Sequence, residues 1–490
     1  MGQKITFWVS KILQICLVLF SGIIIIGIGN YWIKFIQEQG LHLSSRSLII
    51  FLICLIGGFI AISGCCYLLA KIPDQPNYNR CVLLGLLLLF ALIFIFWLHI
   101  TPTVQYSDYG EFWQSSIKVL KGQPLYQTDN DYFAKWAYQT GFLSYVMLIV
   151  KLFGAHIRIV QLLNVFYQLI ILLLTYCLSQ KLFHKVTVSR WSVFLLGINL
   201  EWFVLNNRVT DQYIGLIFFL LTLILIIDDH RFSWPAAGIT LALANYLRPL
   251  GIIFIAGIVV FGVVYRLLAL PKNKLRSCGR IIAFAAVYFL LTTCLAGAVK
   301  HSGLNEYGLS NRDPEWKLVM GLNYRSNGTN KAFISKQFNQ HSRRRTMQTK
   351  ERDVVKKNVQ QLNRQHQWLS LLINKFYLLW AYPSNSLDYT LFRKNHSQQL
   401  YQLLIDVAFA VNAIEMLLLF IAAIAGLRKK MPVQSYLLLL TLFAYAAAQL
   451  IIEVQGRYRI EFTPILIIFA SLGVQVVLSK IHERRVKGCH

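Results

Sequence analysis

The stretch Val82–Leu98, VLLGLLLLFALIFIFWL, contains no charged side chain. A helix needs roughly 20 such residues to cross the hydrocarbon core of a membrane, because each residue rises about 1.5 Å across about 30 Å. Only helices and closed barrels provide hydrogen-bond partners for all backbone N–H and C=O groups inside a bilayer, and unbroken apolar runs of this length favour helices. The stretch therefore predicts a transmembrane helix.

The composition shows the same character along the whole chain. Of the 490 residues, 56% are hydrophobic and only 14% are charged, whereas about a quarter of the residues in soluble proteins are charged. The net charge of +27 is better explained by basic loops facing anionic lipid headgroups than by nucleic-acid binding. Most cysteines lie in or beside apolar runs, where they behave as small hydrophobic residues.

We therefore expect an all-α polytopic membrane protein of the plasma membrane, with about twelve transmembrane helices. The predicted helices are 10–34, 46–70, 82–100, 158–180, 190–206, 212–228, 233–248, 250–268, 281–298, 402–426, 432–452 and 459–480. Two shorter apolar segments, 139–154 and 368–382, are expected to lie in the membrane interface, where Lys151 and the aromatic residues reach the headgroups.

Basic residues in the short loops predict the orientation. All of these loops fall on one side, the cytoplasmic side, if both termini are cytoplasmic. The basic residues concerned are Lys71, Arg80, Lys181, Lys185, Arg190, Lys272, Lys274, Arg276, Arg280, Arg428, Lys429, Lys430, Lys480, Arg484, Arg485 and Lys487.

The long loops then lie outside and divide the chain into parts. These parts are 1–81, the first two helices; 82–298, a core with the first outer loop 101–138; 299–401, a basic outer loop and interfacial helix; and 402–490, the last helices and tail. The basic run of Arg343, Arg344 and Arg345 predicts contact of this loop with an anionic acceptor, and a mobile loop bound to headgroups is the other interpretation.

Two acids follow the third predicted helix. Asp108 and Glu111 would share one face if their segment is helical. They are either solvated loop acids or a general base that takes a proton from an attacking acceptor hydroxyl. Asp129 and Asp131 form a DxD-like pair that could hold a divalent ion. Two loop aspartates are a weak metal signal, so we expect no cofactor and keep a metal here as the alternative.

Charged residues also stand at later helix ends. Asp211 and Arg208 share a short turn and form either an interfacial ion pair or part of a site, since charges are costly to place in lipid. Arg248 lies in NYLRPLG, where Pro249 ends a helix. Its paired donors suit a phosphate, and headgroup anchoring is the other interpretation.

Arg457 and Arg459 lie in the last predicted outer turn, EVQGRYRIEF. They are either a second phosphate clamp or the partners that compensate Glu453 and Glu461. Together with the acids, these arginines suit a substrate that has a lipid tail, a phosphate and a polar group.

The order of these features resembles the GT-C superfamily of membrane glycosyltransferases, which includes protein O-mannosyltransferases and bacterial lipid A aminoarabinose transferases. The similar stretches are SDYGEFWQSSIKVLKGQPLY (107–126), DYFAKWAYQTGFLSYVMLIVKLFG (131–154), NYLRPLG (245–251), WLSLLINKFYLLWAY (368–382) and RYRIEFTP (457–464). The resemblance covers residues 82–480. It departs from the family in the two helices that precede the usual first span, and in Glu111, which is not adjacent to Asp108.

The resemblance implies an enzyme that transfers a sugar from a polyprenyl-phosphate donor to a glycan or polymer acceptor outside the membrane, with inversion at the anomeric carbon. The resemblance implies Asp108 as the catalytic base, with Glu111 as a second catalytic candidate whose role it leaves open, and Arg248, Arg457 and Arg459 as ligands of the lipid phosphate. Asp211 and Arg208 are added to the predicted substrate site because of their position at a helix end. The partners are the donor, the acceptor and membrane lipids, without nucleic acid.

Three alternatives stay open. A polysaccharide polymerase or ligase would act through the loop arginines at 343–345 without Asp108. A transporter or flippase would favour inverted repeats and polar residues at the midplane, and no repeat is obvious in the sequence. A non-catalytic scaffold would have no acids placed at the membrane boundary.

Overall fold

Helices form all the regular structure in the part of the chain that the computed structural model describes, namely residues 2–39, 41–228, 230–269, 274–336, 338 and 343–487. The helices are α1 (Gly2–Gln39), α2 (Leu41–Lys71), α3 (Pro76–Ile100), α4 (Ser107–Leu120), α5 (Tyr132–Lys135), α6 (Thr140–Phe153), α7 (Ile157–Phe183), α8 (Val186–Ile198), α9 (Leu200–Phe203), α10 (Gln212–Ile227), α11 (Ser233–Leu247), α12 (Gly251–Phe261), α13 (Lys274–His301), α14 (Trp316–Gly321), α15 (Ala332–Ser335), α16 (Arg344–Arg364), α17 (Trp368–Phe376), α18 (Gln398–Arg428), α19 (Ser435–Ile451) and α20 (Thr463–Lys487).

The all-α polytopic fold class is confirmed. Among the described residues, 8 helices are long and apolar enough to cross a membrane. They are Gly2–Glu38, Arg46–Lys71, Pro76–Ile100, Ile157–Phe183, Gly251–Leu268, Lys274–His301, Gln398–Arg428 and Thr463–Ile481. Each coincides with a predicted span.

The remaining predicted spans are helical, but they are shorter or bent. The segment predicted as one span over 190–206 is broken by 67°. Helices α10, α11 and α19 have 16, 15 and 17 residues. Helix α10 begins after Asp211 and α11 ends before Arg248, and these two residues form an ion pair.

The surface of the bundle is apolar and its interior is partly polar, the reverse of a soluble protein. Leu88 and Leu92 on α3 are 67% and 68% exposed, as expected of side chains that face lipid. Gln161, Asn164 and Gln168 on α7 are fully or almost fully buried. A bilayer therefore suits the outside of this bundle better than water does.

The side-chain amides of these three α7 residues stabilise the segment that follows the broken helix. Gln168 donates to the carbonyl of Phe203 at 2.9 Å, Asn164 to that of Arg208 at 2.7 Å, and Gln161 to that of Asn207 at 2.8 Å. The carbonyls that the broken helix leaves free are thus satisfied inside the protein, as a membrane environment requires. The turn that leads to Asp211 is fixed in this way.

The predicted cytoplasmic loops meet at one end of the bundle. Arg190 donates to the carbonyls of Leu69 and Ile72, and Lys11 donates to that of Leu427. Lys272 lies outside the described residues. The two N-terminal helices belong to the bundle, since α1 and α2 both pack against α18.

At the opposite end, the segment predicted as a basic loop forms a folded cap, which we define as residues 302–336, 338 and 343–367. Its small core contains Trp316 and Met320 from α14 and Met347 from α16. The cap is held to the first loop, because Asn305 donates to the carbonyl of Phe133 at 3.0 Å. The segment is folded because apolar residues spaced through the polar sequence meet on one side of α16.

Candidate functional site

A cavity of about 390 Å³ lies between the cap and the bundle. Its walls come from α4, the break between α11 and α12, the cap helix α14, and the turn 452–462 between α19 and α20. The charged residues that line it are Asp108, Asp211, Arg248, Lys317, Glu453 and Arg457. These residues are far apart in sequence, so only the fold assembles the site.

Helix α4 presents Asp108 to the cavity. Its first residue, Ser107, has a φ of +52°, a conformation that costs of order 1–3 kcal/mol in a residue other than glycine. Tyr109 and Phe112 are buried and anchor the helix. The side chain of Asp108 keeps 38% of its surface exposed, and Tyr132 lines the same cavity.

The other acids of the first loop do not line this cavity. Glu111 is exposed and absent from its walls, although it shares helix α4 with Asp108. Asp129 accepts a hydrogen bond from the hydroxyl of Tyr307 at 2.6 Å. Asp131 accepts from the backbone of Gln127 at 2.8 Å, and such bonds lower its pKa against the opposing effect of burial. Both aspartates thus have structural partners.

Arg248 lies at the break before Pro249, at the bottom of the cavity. It donates to both carboxylate oxygens of Asp211, at 3.2 and 3.1 Å, and pairs with Glu461 at 2.8 Å. One of the two interpretations of the sequence paired Asp211 with Arg208, and the structure corrects this, since the partner of Asp211 is Arg248. Gly215 permits the arrangement, because a Cβ there would lie 2.8 Å from the Cβ of Arg248.

Arg457 forms the opposite wall. Its guanidinium donates to Asp108 at 3.2 Å and to the hydroxyl of Tyr109. The ring of Tyr389 lies 4.4 Å from the guanidinium carbon, and Gln455 accepts from its Nε at 2.9 Å. An arginine held on so many sides is preorganised to meet an anion.

Lys317 is a cation of the site that the sequence analysis missed. It projects from α14 and pairs with Glu453, and its side chain is 38% exposed. Burial lowers the pKa of Lys317, but the Glu453 carboxylate outweighs burial and holds that pKa well above its ordinary value. A lone lysine in a polar loop gives no sequence signal; the cap fold alone brings it to the cavity.

Two predicted phosphate ligands lie elsewhere. Arg459 is buried, pairs with Glu201 and donates to the carbonyl of Tyr382 at 2.9 Å. Arg208 is buried against the ring of Tyr106, and burial lowers its pKa to about 10. Neither arginine lines the cavity, so their predicted contact with substrate phosphate has no geometric support.

The acids around the cavity differ in how much of each side chain is exposed to solvent. Asp211, Glu453 and Glu461 are 7%, 3% and 0% exposed and are each paired with a cation. Asp108 is the carboxylate with a large exposed fraction among these pairs. The arrangement can therefore hold an anion near its cations and offer one accessible carboxylate to a neighbouring hydroxyl.

No group of three or more His, Cys, Asp or Glu side chains that could hold a metal ion occurs in the described ranges. The acids around the cavity pair with Arg248, Lys317 and Arg457 instead. The expectation of a site without metal stays a prediction.

The chain is similar to ArnT from Cupriavidus metallidurans, solved bound to undecaprenyl phosphate, at a TM-score of 0.34 and 15% identity, over 79% of this chain and 78% of that chain. At this TM-score, the assignment of function has to come from the site itself.

No protein-family model and no curated protein matches the sequence.

Proposed function

We propose that this protein is an inverting glycosyltransferase that moves a sugar from a polyprenyl-phosphate donor to an acceptor on the outer face of the membrane. The observation that carries the proposal is a partly exposed carboxylate, Asp108, in one cavity with the cations Arg248, Lys317 and Arg457. The cavity lies at the end of a bundle whose surface suits lipid.

The cations would bind the phosphate of the donor. When the bond between the anomeric carbon and the phosphate oxygen breaks, its electron pair stays on that oxygen and the phosphate gains negative charge. Preorganised donors in a cavity shielded from water stabilise such developing charge strongly. Arg248 and Arg457 offer forked donors, and Lys317 adds a mobile point charge.

Asp108 would act as the general base. It takes the proton of the acceptor hydroxyl while the hydroxyl oxygen bonds to the anomeric carbon, on the face opposite the phosphate. A phosphate leaves without protonation, so one carboxylate is enough, and Glu111 has no step to perform. Tyr132, which lines the same cavity as Asp108, would orient the carboxylate.

The acceptor, a glycan or polymer, would approach from the side of the cap. Helix α16 exposes Arg345, Lys356 and Lys357 there, which favours an anionic acceptor through long-range attraction. This contact predicts that acceptor affinity falls with rising salt.

Transfer of a radiolabelled sugar from polyprenyl-phosphate donors in membranes tests the proposal. We expect Asp108→Asn, which keeps the shape but accepts no proton, to lower the rate about 10²- to 10⁴-fold. Asp353→Asn, on the exposed face of α16, is the matched control. Normal transfer by Asp108→Asn would contradict the proposal and favour a polymerase that acts through residues 343–345. If wild type used no donor, a transporter would become the better hypothesis.

A further inference from the structure

A second cavity, of about 320 Å³, lies beside the first and shares no residue with it. Its walls come from α1, α9, α18 and the segment 378–388 that precedes α18. Helix α1 is one of the two helices that precede the family-like part of the sequence. The residues it contributes, Tyr31 and Phe35, thus lie outside the part of the sequence that carries the resemblance.

Both charged residues in the lining of this cavity are acids, whereas three acids and three cations line the first. The two acids are Glu201 and Asp388. Glu201 already accepts from Arg459 and from the backbone of Ser384. The described lining residues include no cation for a phosphate, and Asp388 offers acceptors, because carboxylate oxygens are acceptors only. The ligand that fits is therefore an uncharged donor of hydrogen bonds.

A buried carboxylate behind the wall adds a second observation. Gln402, which lines the cavity, donates to Oδ1 of Asp406 at 3.2 Å. Asp406 is 3% exposed, and its Oδ2 has no hydrogen-bond partner. A buried acceptor without a partner costs about 1–3 kcal/mol, so a hydroxyl that reaches past Gln402 would relieve this cost.

The rest of the lining is apolar and aromatic. The rings of Tyr31 and Tyr382 lie 5.5 Å apart, and Leu378, Ile405 and Ala408 complete that side. An apolar lining with a few converging polar groups is typical of small-molecule sites. A ring that carries hydroxyls can pack its C–H face on the tyrosines while its hydroxyls face the acids, and an attached alkyl chain suits the apolar side.

We propose that this second cavity binds the hydroxyl-rich, uncharged head group of a glycolipid-type amphiphile, between helix α1 and helix α18. The site adjoins the first cavity through Tyr389, which follows Asp388 and whose ring lies 4.4 Å from the guanidinium of Arg457. The proposal goes beyond the transferase activity, because binding here requires neither donor nor catalysis.

Equilibrium dialysis tests the proposal on the full chain in a detergent without sugar. The probe is radiolabelled n-octyl β-D-glucoside below its micellar concentration. The competitors are octyl tetraoxyethylene ether, which has the chain without the hydroxylated ring; methyl β-D-glucoside, which has the ring without the chain; and octyl phosphate, which carries an anion. We expect saturable binding of the glucoside, with none of the three as an equal competitor.

Two variants locate the site. Ala408→Leu fills the cavity without removing a hydrogen bond, and Gln402→Leu removes a polar group of the wall; each should weaken binding at least about fivefold. Ala286→Leu, on the exposed face of α13, is the matched control and should bind as wild type does.

Three results would overturn the proposal. The ether could compete as well as the glucoside, which would mean that the octyl chain binds to the apolar surface without a contribution from the hydroxylated ring. Octyl phosphate could compete better, which would mean an anion site. Folded Ala408→Leu could bind the glucoside with wild-type affinity, which would place the binding elsewhere.

Discussion

Arg457 donates a hydrogen bond to Asp108 at 3.2 Å, although 349 residues separate them along the chain. The pair joins the first loop after α3 to the last turn before α20. In the proposed reaction, a donor phosphate would compete with Asp108 for the guanidinium of Arg457. Arrival of the donor would thus release the carboxylate for the acceptor hydroxyl.

Arg457 and Arg459 share one turn, but we expect their substitutions to affect different properties, activity for Arg457 and stability for Arg459. We expect Arg457→Gln to lower kcat/KM for transfer about 10²- to 10³-fold, because it removes a donor to the developing phosphate charge. Arg459→Gln should instead lower the free energy of unfolding by about 3–5 kcal/mol, since it leaves Glu201 buried without its cation. Thermal unfolding and transfer rates, measured on both variants, separate the two effects; equal loss of stability in both would contradict the assignment.

Lys317→Gln should raise the KM for the donor about 10- to 100-fold, because a hydrogen bond to a charged group contributes about 1.5–3 kcal/mol. The single variant also leaves Glu453 without its partner. The double variant Lys317→Gln/Glu453→Gln removes that problem and should restore stability but not donor affinity. Lys331→Gln, an exposed cap residue, is the control. Recovery of donor affinity in the double variant would assign Lys317 a purely structural role.

Gly215→Ala should displace Arg248, because the added Cβ would lie 2.8 Å from that side chain. We expect a fall in transfer rate of about tenfold or more, since small misplacements of binding groups are costly. Gly85→Ala is a matched substitution in another helix, with nothing within 4 Å of its Cβ, and should leave transfer unchanged. If both variants behaved alike, the close approach of Gly215 to Arg248 would not matter for activity.

Glu351 should make the cap less stable at high pH. It is fully buried and accepts from the backbone of Glu315 at 3.0 Å, and burial raises its pKa from 4.5 to about 8. Its contribution to stability is therefore fully present below pH 4.5 and is lost as the pH rises through about 8. The melting temperature of the cap, followed by the fluorescence of Trp316, should fall across that window.

Glu351→Gln should flatten this pH dependence, because an amide does not titrate in that range. Asp353→Asn, exposed on the same helix, should leave the pH profile as in wild type. An unchanged profile in Glu351→Gln would assign the pH dependence to another group.

Glu111→Gln tests whether the second acid of the first loop has a role. Because Glu111 is exposed and does not line the cavity, we expect the transfer rate to stay within about twofold, as for most surface substitutions. A loss comparable to that of Asp108→Asn would place both acids in the reaction, as the sequence analysis first considered.

The helices themselves were predictable, because an apolar run decides locally that a segment enters a membrane. The hydropathy pattern did not predict the helices within 299–367, the segment interpreted as a basic outer loop. Charged residues dominate that segment, and its few apolar residues, such as Trp316, Met320 and Met347, meet only when the cap folds. Hydropathy along the chain does not register contacts of this kind.

The candidate site was predictable in part. Four of the residues that line the cavity were candidates from the sequence, because charged side chains at helix ends are costly to place in lipid. They are Asp108, Asp211, Arg248 and Arg457. Their pairing was not predictable, since Asp211 has Arg208 as its near neighbour in sequence but Arg248 as its partner in space.

The sequence by itself determined that this chain forms a bundle of membrane helices with charged residues at their ends, because burial of apolar side chains depends on short stretches of sequence. The tertiary structure alone decided which charges meet. Arg457 faces the cavity while Arg459, in the same turn, is buried against Glu201, and Lys317 reaches Glu453 across 136 residues. Ion pairs act over a few ångströms of space, and no pattern along the chain encodes such distances.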